Sequence, residues 1–381
     1  MSKTDIKSAF RIVPVDPADY HLLGFKWRDG FYYDRCLPMG CSSSCAIFES
    51  ISTGLEWIIK QRLTNVSVLH ILDDFLFIGP SYQECQLALD TFISICHDIG
   101  IPLAPEKTIG PIQGLEFAGI YLDSVDMSAK LPQEKVTKFL SFIHDMVKVK
   151  SANLKQIQSL AGMLNFACEV IVPARAFSRR LIDLSLGLTQ PYHHRKVTNQ
   201  VREDLLVWKN YLLTHNSKTF FLDHRFITQS SLQLFTDSSS TIGYGGYYGS
   251  RWFAGLWPAT CMGLNIALLE IYPICLAIKV WGSHLSNKCI MFNSDNMSVV
   301  HIVNNFTSKD PNIMALLRII VLDCMRMKIY IRCTHIAGRN NVLADMLSRS
   351  QVALARTKFP HLQPYSTFVP IQWRLDQLLK L

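Results

Sequence analysis

Few charges, no long apolar run and no paired-cysteine motif mark this 381-residue chain. Charged residues make up 18% against 49% apolar ones, the reverse of the balance that keeps a chain unfolded, so disorder is excluded as the dominant state. No stretch approaches about 18 uninterrupted apolar residues, so no membrane span is expected. The opening run Met1-Ser2-Lys3-Thr4-Asp5 leads into an amphipathic segment with no apolar signal core, so secretion is not expected either. The eleven cysteines are odd in number and irregularly spaced. Their closest set, Cys36, Cys41 and Cys45, holds no Cys-x-x-Cys pair and has no histidine nearby. That argues against a zinc site or a disulfide framework and for free thiols in a reducing compartment. There is no fixed-period repeat and no low-complexity block. What is present is length for two or three domains and a net charge of +8, which suits a polyanionic partner without demanding one.

The chain divides by texture. Residues 1 to about 125 read as strands and short helices. The aromatic runs His21–Trp27 and Phe31–Cys36 flank Arg28-Asp29-Gly30, which predicts a tight hairpin. Val66–His70 and Phe75–Ile78 are a second pair of β-rich runs around Ile71-Leu72-Asp73-Asp74. From about 130 to 215 the apolar residues fall at three- and four-residue steps, through Val136, Phe139, Leu140 and Ile143 and then Leu154, Ile157, Leu160 and Leu164, predicting helices. Arg175, Arg179, Arg180, Arg195 and Lys196 give this part a basic cast, as a phosphate-contacting surface or as an ordinary solvated helix face. From about 229, three strands and then alternating helix and strand predict a mixed sheet with flanking helices. Residues 351–381, with Pro360, Pro364 and Pro370, read as a tail or linker.

Asp73 and Asp74 stand side by side at the expected turn. Adjacent carboxylates repel unless a cation neutralises them, and Mg²⁺ takes hard carboxylate oxygens while keeping waters and phosphates as its other ligands. Plain turn chemistry would also explain an isolated Asp-Asp pair. The company of the pair decides for the metal. Thr4-Asp5-Ile6-Lys7-Ser8-Ala9-Phe10, then Leu37-Pro38-Met39-Gly40-Cys41-Ser42-Ser43-Ser44, then His70-Ile71-Leu72-Asp73-Asp74-Phe75, then Leu115-Glu116-Phe117-Ala118-Gly119-Ile120 follow one another in order. Together they resemble the palm motifs of reverse transcriptases, closest in wording to the DIRS-type retrotransposons that mobilise with a tyrosine recombinase. The resemblance implies Asp5, Asp73 and Asp74 as ligands of two divalent ions in a nucleotidyl transferase. It implies Phe10 as the gate against a ribose 2′-hydroxyl, and the loop with Pro38, Met39 and Gly40 as packing on the template–dNTP pair. Ile71 stands where the family has an aromatic. The family's fingers subdomain, which grips the triphosphate, precedes the first aspartate, and only four residues precede Asp5 here. The expectation is therefore a truncated polymerase with little or no synthesis of its own.

A second set of acids lies downstream. Asp237 ends a predicted strand, Glu270 is expected in the first turn of a helix, Asp295 ends another strand and Asp345 opens a helix, ten residues after His335. Acids at strand ends and helix starts can meet at one sheet edge, and four carboxylates there again call for two divalent ions. In this order they resemble the ribonuclease H fold, whose D-E-D-D set would be Asp237, Glu270, Asp295 and Asp345. His335 then matches a mobile histidine that aids proton transfer or product release. Asn296 and Ser298 are candidates for contact with the hybrid's minor groove, where 2′-hydroxyls distinguish RNA. Pro273, three residues past Glu270, is expected to kink or delay the helix.

The expected fold class is thus a multidomain α+β and α/β chain. Its parts are a truncated palm (1–125), a helical thumb or connection (126–228), an RNase H-like mixed sheet with flanking helices (229–350) and a tail (351–381). The expected function is that of a retroelement RNA-directed DNA polymerase/ribonuclease H fragment, an endonuclease and nucleotidyltransferase by chemistry. Each active site would use two Mg²⁺ or Mn²⁺ ions. The expected partners are an RNA–DNA hybrid, a template-primer and, if fingers were present, dNTPs. The alternative is an inert remnant that at most binds nucleic acid. The resemblance places such a chain inside the cell, in cytoplasm or nucleus.

Overall fold

The first strand, β1 (Ser2–Asp5), lies antiparallel to β5 (Asp74–Ile78), which pairs on its other side with β4 (Ser67–Ile71). In this computed structural model, which describes residues 1–216, 218–219 and 233–380, the three strands are the floor of a unit spanning Met1–Pro132. Helices α1 (Ser42–Arg62) and α2 (Tyr82–Asp98) cover the sheet. Phe48, Leu55 and Ile59 from the first and Ala88, Leu89 and Phe92 from the second are buried in one cluster with Ile6, Val68, Phe75 and Phe77. The helix-period stripe meets the strand-period stripe, which is why both patterns were readable. The expected hairpin forms β2 (Gly24–Trp27) and β3 (Gly30–Tyr33), with Arg28 and Asp29 as the turn. A meander of β6 (Gly114–Phe117), β7 (Ile120–Asp123) and β8 (Ser128–Lys130) completes the unit.

A second unit spans Gln133–Leu381. It opens with α3 (Gln133–Lys148) and α4 (Leu154–Ala167), the latter started by a capping box between Asn153 and Gln156. The short α5 (Arg179–Asp183), α6 (Asn199–Thr214), the pair β9 (Ser151–Asn153) and β10 (His194–Lys196) and the two-residue β11 (Lys218–Thr219) follow. The boundary expected at 228/229 lies outside the described residues. A mixed sheet follows in the order β14-β13-β12-β15-β16, built from β12 (Gln233–Ser238), β13 (Gly243–Tyr248), β14 (Arg251–Leu256), β15 (Cys289–Ser294) and β16 (Tyr330–His335). β13 runs antiparallel to both β12 and β14, while β15 is parallel to both β12 and β16.

Against this sheet lies α7 (Ile266–Leu285), with fifteen of its twenty residues buried. It is long and apolar enough to cross a membrane by length and composition, and burial inside the unit accounts for that apolarity. The helix starts at Ile266, where the Asn265 side chain caps it on the Ala267 N–H at 2.9 Å. It also continues unbroken through Pro273. The expected delay at the proline is therefore wrong. Helices α8 (Met297–Asn305), α9 (Pro311–Met327) and α10 (Val342–Ser348) follow.

Residues 351–380, read from sequence as a tail or linker, are packed chain. They form α11 (Val352–Lys358) and α12 (Leu375–Leu379) and bury Ala355, Leu362 and Leu375. All eleven cysteines are free thiols.

Candidate active sites

In the first unit, strand register decides the site. Asp5 is paired with Asp74 across β1 and β5, while β4 and β5 close on Ile71 and Asp74, leaving Leu72 and Asp73 as a two-residue turn. Asp74 thus belongs to the strand and Asp73 to the turn. Leu72 has φ 54°, a left-handed conformation that costs a side-chain-bearing residue about 1–2 kcal/mol. Its N–H is held by the Glu49 carboxylate at 3.2 Å. Glu49 also takes His70 Nε2 at 3.1 Å, and His70 Nδ1 reaches Glu56. This support under the turn, with His70 buried and Glu49 partly exposed, was not anticipated, because its members are scattered over two elements.

Asp5 is buried and accepts a hydrogen bond from Lys107 Nζ at 2.8 Å. Burial, and then the neighbouring Asp5 and Asp73, raise the Asp74 carboxyl above its ordinary value. Lys107 was likewise missed: Pro105-Glu106-Lys107 carries no sequence signal that ties it to Asp5. Phe10 packs edge-on against Phe48 with ring centroids 5.5 Å apart. Pro38 is half-buried, while Met39 and Gly40 are exposed, Gly40 at φ 90°.

In the second unit, the neighbouring strands β12 and β15 deliver Asp237 and Asp295, the latter just past the strand end, and α7 brings Glu270 beneath them. Ligand oxygens of Asp237, Glu270 and Asp295 all lie within 4.8 Å of one another. Among the described residues this is the group of three acids so arranged; Asp5, Asp73 and Asp74 do not form a second one. Glu270 sits in the second turn of α7 and not in the first, since the helix begins at Ile266. Burial, reinforced by Asp237 and Asp295, pushes its carboxyl up to about 9. Burial also pushes the Asp237 carboxyl up to about 6. The Ser348 hydroxyl works against that rise, and Asp295 and Asp345 add to it.

Asp345 stands apart from the three. Its Oδ1 accepts from Arg349 Nε at 2.7 Å, one helical turn on. Helix α10 nonetheless presses close to the strands, because Gly245 leaves room for it: a Cβ there would lie 2.4 Å from Leu347 Cβ. That approach lets Ser348 Oγ donate to Asp237 Oδ2. Ser348 and Arg349 follow Asp345 at helical spacing, the one signal by which they could have been found. Gly338 closes the other side, with a virtual Cβ 3.1 Å from Asp295 Oδ2. His335 is exposed at the end of β16, opposite Ser294. Asn296 caps α8, accepting from the Ser298 N–H at 2.9 Å, and Ser298 is exposed in that first turn. The carbonyl end of Asn296 is thereby committed to the helix.

The donors suit a hard divalent cation. All are carboxylate oxygens, and Glu270 Oε2 is buried without a hydrogen-bond partner. A buried carboxylate oxygen left so is costly unless a cation or proton meets it. The basic residues expected to contact phosphate are more committed than the sequence implied. Arg180 is bonded to Asp204 at 2.8 Å, Arg179 to Asp183 at 2.8 Å, and Arg175 lies 3.8 Å from Glu169.

Comparison with known proteins finds relatives of the first unit. Residues 1–143 match the family of reverse transcriptases (RNA-dependent DNA polymerases). Over 164 residues, 42% of this chain, the sequence is 29% identical to Protein P of duck hepatitis B virus (strain United States/DHBV-16), covering 19% of that protein. It is 26% identical over 163 residues to Protein P of heron hepatitis B virus, covering 20% of it. The chain spans about a fifth of the length of these curated relatives. Its mixed α+β fold is similar to that of the foamy viral protease-reverse transcriptase solved in complex with an RNA/DNA hybrid. The TM-score is 0.51 at 15% identity, over 87% of this chain and 43% of the other.

Proposed function

We propose that the chain belongs to a retroelement of the DIRS type and joins an RNA-directed DNA polymerase palm to a ribonuclease H. The reverse transcriptase match over residues 1–143 supports the first half of that reading. The observation that carries the second half is the carboxylate group Asp237, Glu270 and Asp295, with its unpartnered Glu270 oxygen. In the proposed nuclease, these three acids and Asp345 hold two divalent ions, Mg²⁺ or Mn²⁺, over the RNA strand of an RNA–DNA hybrid. When bound, such ions supply an activated water and neutralise charge at the cleaved phosphate. Asp345 joins the set by releasing Arg349, whose guanidinium is then free to meet a phosphate. His335, exposed at the strand end, is suited to carry a proton to the leaving oxygen. Asp5, Asp73 and Asp74 would form the matching site of the palm for template-primer and dNTP, with Phe10 and the loop of Pro38, Met39 and Gly40 lining it.

The purified chain, incubated with Mg²⁺ and a labelled RNA–DNA hybrid, is expected to cut the RNA strand. Asp295→Asn is expected to lower that rate by at least about 100-fold, the scale on which removing a group that stabilises transition-state charge acts. No cleavage by the wild type, or cleavage indifferent to Asp295→Asn, overturns the nuclease reading.

A further inference from the structure

Pro273 is the eighth residue of α7 and has no N–H, so the carbonyl of Leu269, one turn back, is without its helical donor. Leu269 is fully buried, and a buried carbonyl left bare is destabilising. The missing donor comes from outside the helix. Ser238 Oγ, itself buried, donates to Leu269 O at 2.7 Å. The positions of the two partners are what give the bond meaning. Ser238 follows Asp237 at the end of β12, and Leu269 precedes Glu270 on α7. The bond therefore ties the end of the strand that carries Asp237 to the helical turn that carries Glu270, alongside the Ser238 N–H that bonds the Glu270 carboxylate. A non-proline residue at 273 would supply the carbonyl with its helical donor, so that the serine would no longer be its needed partner.

We propose that Ser238 is a positioning residue that fixes the spacing of Asp237 and Glu270 through the carbonyl that Pro273 leaves open. The inference rests on the reading of Asp237, Glu270 and Asp295 as a divalent-cation site. Residues that orient metal ligands from behind are worth about 10–100-fold in metal affinity. A serine that merely satisfies a buried carbonyl changes thermal stability and leaves cation affinity alone.

The test is Mn²⁺ binding to the full chain by calorimetry, scoring the uptake that Asp295→Asn removes. Ser238→Ala is expected to weaken that uptake by about 10-fold or more. In Ser238→Ala/Pro273→Ala the new N–H of residue 273 meets the Leu269 carbonyl, so the melting temperature recovers while Mn²⁺ binding stays weak. The double variant carries the comparison even where Ser238→Ala alone does not fold. Wild-type Mn²⁺ affinity in either variant overturns the role of Ser238 and leaves the cation site standing. A wild-type chain with no uptake sensitive to Asp295→Asn overturns both.

Discussion

At the scale of single residues, the second site is defined by carboxyl groups held where water would not leave them charged. Asp237 rises from an ordinary 3.8 to about 6, chiefly through burial, and Glu270 to about 9 through burial and its acidic neighbours. Both values are raised, so between pH ~4 and ~9 these two groups hold more proton in the folded chain than in the unfolded one, and their contribution to stability falls as pH rises through that window. For Asp237 the rise of roughly two units corresponds to about 3 kcal/mol, lost between pH ~4 and ~6. A divalent cation binds only the deprotonated ligands, so it gains affinity over the same range and offsets the loss. Thermal melts in EDTA at pH 4.5 and 7 are expected to show the wild type losing more stability than Asp237→Asn, with Mg²⁺ closing most of the gap at pH 7. Equal losses in the two proteins would show that Asp237 does not titrate in this way. Asp237, Glu270 and Asp295, the three acids that meet, lie near strand ends and a helix start that can be read from periodicity, whereas Asp345 stands apart on Arg349. Ser348, Arg349 and Lys107 were not, because their meaning depends on which distant carboxylate the fold lays beside them.

At the scale of elements, the middle helices and the mixed sheet are joined by a buried ion triad. Asp204 on α6 is bonded to Arg180 on α5 at 2.8 Å and lies 3.5 Å from Arg318 on α9. The sequence reading had the helices and the sheet as separate parts, with Arg180 offered to phosphate. Composition could suggest a basic surface, but not that one of its arginines turns inward to an acid two dozen residues away. Burying such charges brings little net stability, yet removing one partner strands the others, at about 3–5 kcal/mol. Asp204→Ala is therefore expected to lower unfolding stability by that amount in a denaturant titration. Asp204→Leu/Arg180→Met/Arg318→Met is expected to recover most of it, since apolar side chains of similar volume leave no unpaired charge. A loss under about 1 kcal/mol in Asp204→Ala would mark the triad as a solvated pair of no consequence.

At the scale of the whole molecule, the last thirty residues change most between sequence and structure. Three prolines and a lack of period made them look like a linker, yet they run as a strap along the edge strand β14 and onto α7. Gln363 N–H donates to Ser250 O at 2.8 Å, Thr367 N–H to Trp252 O at 2.7 Å, and Trp252 Nε1 to Gln363 O at 2.9 Å. Trp281 Nε1 finds Thr367 Oγ1 at 3.0 Å, and Tyr272 OH finds the Trp373 carbonyl at 3.2 Å. Extended, proline-containing chain leaves no periodic trace, because its anchors are single indole and hydroxyl groups on other elements. The strap covers an edge strand that would otherwise offer unpaired backbone to another chain. Leu375, buried where the strap ends, is its apolar anchor. A loose tail would tolerate Leu375→Ala without effect, whereas a packed strap loses about 2–5 kcal/mol for a buried leucine. Chemical denaturation of Leu375→Ala separates the two, and light scattering adds an independent reading. A strap lifted from β14 is expected to make the protein self-associate on warming, and an unchanged midpoint with unchanged scattering would return residues 351–381 to the status of a linker.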